Sequence, residues 1–302
     1  MERLICCANT SAFRRDRGLL PFLRHFSNED IRKATGGFGR IVSKNSLGSV
    51  YKAHFQDGFV ATVKEVNAFH QEKDAFYGYV DVLGRLHHRH IISLRGFSAG
   101  PERFLVFEYA ENGSLKDYLR DPLKSPLNWR TRLLIAVGVA SALEYLHFFC
   151  EPPVYHVSIT SSNILLDENF VPKLSEISLL GSIESQSPLS HDSHSRDYIS
   201  REHRNPIFQL GLLILELITG QSPGKEGTDL VQWVQGSSNT HVVHKMIDPD
   251  LGNNYDSKEL KDLLTLAKLC TKRGAKPTFS IQQILRYLQM KVEPLMPVVP
   301  HM

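Results

Sequence analysis

The sequence is short of cysteine, of long apolar runs and of charge of one sign, and each shortage excludes a class of protein. Four cysteines in 302 residues cannot make a dense disulfide framework. Cys150 and Cys270 read as buried thiols in a reducing compartment. No apolar run reaches about 18 residues, which argues against a transmembrane helix. The most apolar stretch, residues 207–218, is broken by Gln209 and Glu216 and reads as a buried core helix. A secretory leader with a charged start, apolar middle and small-residue cleavage site is not expected. A net charge of +3 is too small to argue for a nucleic-acid partner. What remains is 42% hydrophobic and 22% charged, the composition of a soluble globular chain. Its length allows one two-lobed domain or two ordinary ones.

Residues 1–25 read as an N-terminal arm. Cys6 and Cys7 stand beside Leu4 and Ile5, and Arg14, Arg15, Arg17 and Arg24 follow. Paired cysteines with a basic flank fit an S-acylated anchor, because stable attachment takes two signals. Glu2 excludes myristoylation. A disordered arm or an Arg-rich transit peptide fits the same residues.

The next stretch, FSNEDIRKAT from Phe26 to Thr35, carries a helix start. Ser27 is the cap and Asp30 stands three residues on. Gly36–Gly39 reads as a turn. Residues 59–66 alternate as a strand, residues 71–88 form a helix, and strands follow over 91–97 and 104–109. His87, His88 and His90 belong to the loop between that helix and strand; a metal cluster is the lesser reading. Ser114 and Asp117 cap the next helix. Residues 127–147 form a long amphipathic helix carrying Leu134, Ala142 and Leu146. Residues 181–195 are Ser-rich and poorly periodic. Helices follow over 208–219, closed by Gly220, over 258–272, with the stripe Leu260, Leu263, Leu264 and Ala267, and over 279–291. A Pro-broken tail covers 291–302.

The stretch from Tyr155 to Ser178 reads YHVSITSSNILLDENFVPKLSEIS. With LHHRHIISLRGF and ENGSLKDYL it resembles the plant receptor-like and receptor-like cytoplasmic Ser/Thr protein kinases. The resemblance covers residues 26–290. It implies an α+β, two-lobed protein kinase-like fold, with a small β-rich N-lobe over about 38–109 and a larger helical C-lobe over about 111–290.

In such kinases HRDxxxxN supplies the Asp that takes the acceptor proton and the Asn that holds magnesium. Here that frame reads His156, Val157, Ser158 and then Asn163. The lysine two residues past the base becomes Thr160. The Asp-Phe-Gly position reads Glu176, Ile177 and Ser178. The glycine-loop positions fall on Ser43, Asn45 and Gly48, preceded by Val42 and followed by Val50, so one glycine survives. Lys64 fits the V-A-x-K strand lysine. Its glutamate partner falls on Tyr79, and Asp81 lies on another helix face. Phe107 is the gatekeeper, and Glu108 to Ala110 are the hinge. The hydrophobic spine runs through Leu83, Leu94, His156 and Ile177. Glu202 is kept, but its late arginine is Lys276, which lacks a bidentate fork. The central-helix aspartate that holds the catalytic loop falls on Pro206.

The resemblance is therefore to a degenerate member, a pseudokinase, with no catalytic residue expected. Val42, Gly48, Val50, Lys64, Glu108, Ala110 and Asn163 are the residual nucleotide positions. Asn163 and Glu176 would hold magnesium weakly at most, and ATP is expected to bind weakly or not at all. The implied role is a docking or regulatory partner of an active receptor-like or cytoplasmic kinase and other signalling proteins. The implied place is the cytoplasm, or the cytoplasmic face of the plasma membrane through Cys6 and Cys7. Ser187, before Pro188, is a phosphorylation candidate. The alternative is a weak atypical ATP-dependent Ser/Thr kinase working through Glu176, Asn163 and Lys64. A degraded paralogue without a role is a third reading.

Overall fold

Six strands make one sheet in the computed structural model of the chain, which describes residues 22–45, 48–67, 73–155, 157–177, 205–223, 228–236, 246–252, 254–272 and 279–292. The strands are β1 (Arg24–His25), β2 (Ile41–Asn45), β3 (Gly48–His54), β4 (Val60–Glu65), β5 (Leu94–Ala99) and β6 (Arg103–Glu108). Their order is β1-β5-β6-β4-β3-β2, antiparallel except that β1 runs parallel to β5. This sheet belongs to the first of two compact units, Met1–His87 with Ser93–Tyr109.

The two-residue alternation of β4 sets its faces. Ala61 and Val63 are fully buried, whereas Thr62 and Lys64 are half-buried. Ala61 and Val63 join Phe26, Ile31, Ala34, Tyr51, Phe104 and Val106 in a core shared with α1 (Asn28–Ala34). The α1 start is the expected capping box. Ser27 Oγ accepts from the Asp30 N–H at 3.0 Å, and the Asp30 carboxylate accepts from the Ser27 N–H at 3.1 Å. A cap of this kind contributes about 1 kcal/mol. The sheet also takes in Arg24–His25, which the sequence assigns to the arm. Gly96 makes room for them, since a Cβ there would lie 2.2 Å from the Arg24 carbonyl oxygen. Helix α2 is described over Lys73–Arg85 and closes before His87, with a tight turn from Leu86 N–H to Leu83 O at 3.2 Å.

The second unit is His88–Ile92 with Ala110–Met302. It holds a three-stranded sheet of β7 (Gly113–Ser114), β8 (Ile164–Leu166) and β9 (Pro172–Leu174). Around it lie α3 (Leu115–Arg120), α4 (Trp129–Glu144), α5 (Pro206–Thr219), α6 (Thr228–Gly236), α7 (Ser257–Cys270) and α8 (Ile281–Val292). The Ser114–Asp117 capping box at α3 is present as expected. Helix α4 runs into a π-helical turn at Tyr145–Phe149. By length and composition alone, Trp129–Phe149 could cross a membrane. It packs instead against α5, α8 and β9 and carries the buried Arg132. Ala142 and Leu146 are buried as expected, but Leu134 is 40% exposed because it lies on the opposite side of the helix.

Arg132 ties three elements together. Its guanidinium donates to the carbonyls of Leu127 and Leu217, both at 2.9 Å, and pairs with Asp248 at 2.7 Å. The α7 stripe of Leu260, Leu263, Leu264 and Ala267 is buried as its spacing predicts. Cys270 is buried and its thiol is pushed up to about 12 by burial. Cys150 is only half-buried, contrary to expectation, because it follows the π turn at the surface.

Candidate functional site

In the first unit, the candidate residues gather on one face of the sheet. Directly paired residues share a face. The register therefore makes two rows, Val50–Lys64–Leu105 and Lys52–Thr62–Phe107. Lys64 sits mid-strand, and the Lys52 ammonium lies 4.0 Å from the Tyr109 ring centroid. The V-A-x-K frame needs correction here. The four residues ending at Lys64 read Ala61-Thr62-Val63-Lys64, so Ala61 faces the core and Thr62 stands beside Phe107.

Gly48 survives for a reason that lies inside the sheet. Its φ is +142°, and a Cβ there would stand 2.2 Å from the Glu65 carbonyl oxygen. The next N–H, of Ser49, donates to the Glu65 carboxylate at 3.2 Å. The close approach of β3 to β4 by itself demands glycine at 48. A bulge between Ile41 and Ser43 leaves Val42 62% exposed.

Tyr79 is half-buried on α2, where the family has a carboxylate. The Asp81 carboxylate pairs with Arg85 of its own helix at 2.8 Å. The Glu108 carboxylate accepts from Arg95 at 2.8 Å and from the Ser93 N–H at 3.2 Å, while Ala110 is buried. Leu83 and Leu94 are buried in the first unit and Ile177 in the second.

In the second unit, residues 157–163 form a loop held from several sides. Val157 bridges Ile177, and the Ser158 N–H donates to the Glu176 carbonyl at 3.3 Å. The Asn163 carbonyl accepts from both the N–H and the hydroxyl of Ser175, each at 2.9 Å. From below, the Ile159 N–H donates to Gln209 Oε1 at 2.7 Å. The Ser161 hydroxyl donates to Glu216 at 2.7 Å, and Glu216 also pairs with Arg120. Burial raises the Glu216 carboxyl above its ordinary range, against the lowering pull of Ser161 and Arg120. This mesh brings Ser158, Thr160, Asn163 and Glu176 into one loop cluster.

The centre of that cluster is a hydroxyl. Asn163 Nδ2 donates to Ser158 Oγ at 3.0 Å. Ser158 is half-buried and Thr160 exposed. Neither is a carboxylate able to take a proton from an acceptor hydroxyl. Asp167 does not replace it, since its carboxylate accepts the N–H groups of Asn169 and Val171, both at 2.9 Å, and shapes a turn. Among the described residues, no group of three or more His, Cys, Asp or Glu could hold a metal ion. His88 stacks on Tyr145 with centroids 5.0 Å apart, and His90 Nδ1 donates to the Pro172 carbonyl at 3.0 Å. Both are packing residues of the second unit.

Gln209 is a loop contact that lies outside the expected site residues. Its signal was there: with Pro206 in the acid's position, Gln209 is the polar residue one turn further along the same helix. His156, Ser178, Ser187, Glu202, Lys276, Cys6 and Cys7 lie outside the described residues.

The residues present fit an ATP–magnesium group only in part. Lys64, Asn163 and Glu176 remain. Two of three loop glycines are gone, and the third is accounted for by Glu65.

A probable receptor-like protein kinase of Arabidopsis thaliana is 38% identical over 291 residues, covering 90% of this chain and 44% of the relative. The chain thus spans under half of that relative's length. Among solved structures, the pseudokinase domain of BIR2, an immune regulator of the RLK/Pelle family, superposes with a TM-score of 0.71 at 27% identity, covering 89% of this chain and 85% of that one. The pseudokinase DRIK1 (drought responsive inactive kinase 1), solved bound to ENMD-2076, gives a TM-score of 0.70 at 20% identity, over 91% and 98% of the two chains. The fold is therefore kinase-like, with a sheet-rich N-lobe and a helical C-lobe. Residues 34–288 match the protein tyrosine and serine/threonine kinase family, and the chain belongs to it.

Proposed function

We propose that the chain is a catalytically impaired kinase-like protein, a pseudokinase, that docks or regulates an active receptor-like kinase and binds ATP weakly or not at all. One observation carries the reading: the base position is Ser158, a hydroxyl that accepts from the Asn163 amide at 3.0 Å and offers no carboxylate to take a proton. Loss of a general base alone costs on the order of 10²- to 10⁴-fold in rate. Thr160 and Tyr79 remove two further charges that position phosphate. These defects act on one unit and do not multiply as independent factors. The mesh around residues 157–163 supports a scaffold kept in shape while its chemistry is lost.

Two measurements test the reading on the full chain. In phosphotransfer assays the chain transfers no phosphate above its Lys64→Ala variant; transfer that disappears in Lys64→Ala overturns the reading. In thermal unfolding, ATP with magnesium at millimolar concentration shifts the midpoint little. A ligand at about 100 times its Kd would add about 2.7 kcal/mol, a shift of several degrees. The docking role is tested with an active receptor-like kinase domain as partner, where modification of Ser187 is expected. An unmodified segment 178–195 in the assembled pair counts against it. We propose a cytoplasmic location, with S-acylation of Cys6 and Cys7 as the route to the membrane face; if that route is used, Cys6→Ser/Cys7→Ser moves the protein from the membrane to the soluble fraction, and unchanged partitioning removes it.

A further inference from the structure

We infer that Gln209 is the positioning residue of the loop Val157–Asn163, in place of the acid that Pro206 has displaced. The Gln209 side-chain carbonyl accepts the Ile159 N–H at 2.7 Å, across 50 residues of sequence. Ile159 is 4% exposed, so its N–H has little water to turn to.

Helix geometry explains how the role moved. Pro206 stands at the helix start and has no polar side chain to offer. Gln209 lies three residues on, about 4.5 Å further along the axis and on nearly the same face. Side chains on a helix lean back toward its N-terminus, so a residue covers the turn before its own Cα. Gln209 has one methylene more than aspartate and reaches back over the first turn. The helix start does not need the lost acid. Asn205 Oδ1 caps it by accepting the Ile207 N–H at 2.9 Å, and the Gln209 N–H donates to the Asn205 carbonyl at 3.0 Å.

The substitution keeps the bond and drops the charge. An amide oxygen holds the backbone as a neutral acceptor, weaker than a carboxylate. Glu216 holds the same loop through Ser161, about two turns further along α5. Gln209 and Glu216 therefore fix the loop's shape from one helix, independent of any charge at position 206. The role of Gln209 is the same whether the chain docks a partner or transfers phosphate.

The test is amide hydrogen exchange on the full chain. Gln209→Met removes the acceptor and keeps the volume. It is expected to speed exchange at Ile159 by about tenfold, while amides deep in α5 such as Leu213 and Leu215 hold. Gln209→Glu keeps the Ile159 protection, and Pro206→Asp added to Gln209→Met restores it. Unchanged Ile159 exchange in Gln209→Met overturns the inference. So does uniform acceleration through α5, which marks a packing residue, and so does failure of Pro206→Asp to rescue. If Gln209→Met does not fold, Gln209→Glu decides alone: retained Ile159 protection supports the role and lost protection overturns it.

Discussion

Gly48→Ala separates a glycine kept for phosphate from one kept for the sheet. The new Cβ would stand 2.2 Å from the Glu65 carbonyl oxygen and 2.9 Å from its carbon. Side-chain carbons do not come so close to backbone, so β3 must move away from β4 or change φ. At φ +142° the alanine also enters a sparsely populated backbone region, at about 1–3 kcal/mol. The overpacking adds a further 1–3 kcal/mol or so. The expected loss is about 3 kcal/mol, read as a lower urea midpoint with an unchanged slope, or as a fall of roughly 6–12 °C in Tm. Gly58→Ala is the control. Its φ is +80° but nothing lies within 4 Å of the added carbon, so backbone strain alone should cost about 1 kcal/mol. If Gly48→Ala is no worse than Gly58→Ala, the packing account of Gly48 is wrong. If it leaves stability intact but abolishes a measured nucleotide shift, the glycine serves phosphate.

Burial holds His90 down to about 4, well below the ordinary 6.5, with Arg89, His88 and Lys173 adding to the lowering. The unfolded chain therefore binds a proton between these values that folded His90 refuses. This contribution is fully present above pH 6.5 and is lost as pH falls toward 4, at about 2 kcal/mol after allowance for partial exposure. Urea unfolding at pH 7 and pH 5 should show the loss, and His90→Asn should flatten it; an unchanged pH slope in the variant rejects the assignment. Arg132→Met and Asp248→Asn each break a buried ion pair and should each cost about 3–5 kcal/mol. In a double-mutant cycle the pair should couple by more than about 1 kcal/mol. Strict additivity would mean that the 2.7 Å pair contributes nothing specific.

Much of the scaffold was legible because it is written locally. Ser27 with Asp30, and Ser114 with Asp117, sit three residues apart, and such spacing fixes a cap wherever the helix lies. The alternation of β4 and the stripe of α7 follow from side-chain periods of 2.0 and 3.6. The loss of the base was equally plain, since Ser158 is a serine in any fold. Periodicity shows that a helix or strand has two faces but says nothing of what lies opposite each. Leu134 fits the α4 pattern and is 40% exposed, because the neighbours of α4 sit on its other side. Register places Ala61 in the core and Thr62 beside Phe107, a division of faces that the residue order of β4 does not assign. The family frame, the caps and the missing carboxylate are properties of residue type at short spacing and are readable in the chain order. Why Gly48 is glycine, and which side chain holds Ile159, emerge once the chain is folded. Both depend on contacts between residues far apart in the chain, Gly48 with Glu65 and Ile159 with Gln209, that no local pattern encodes.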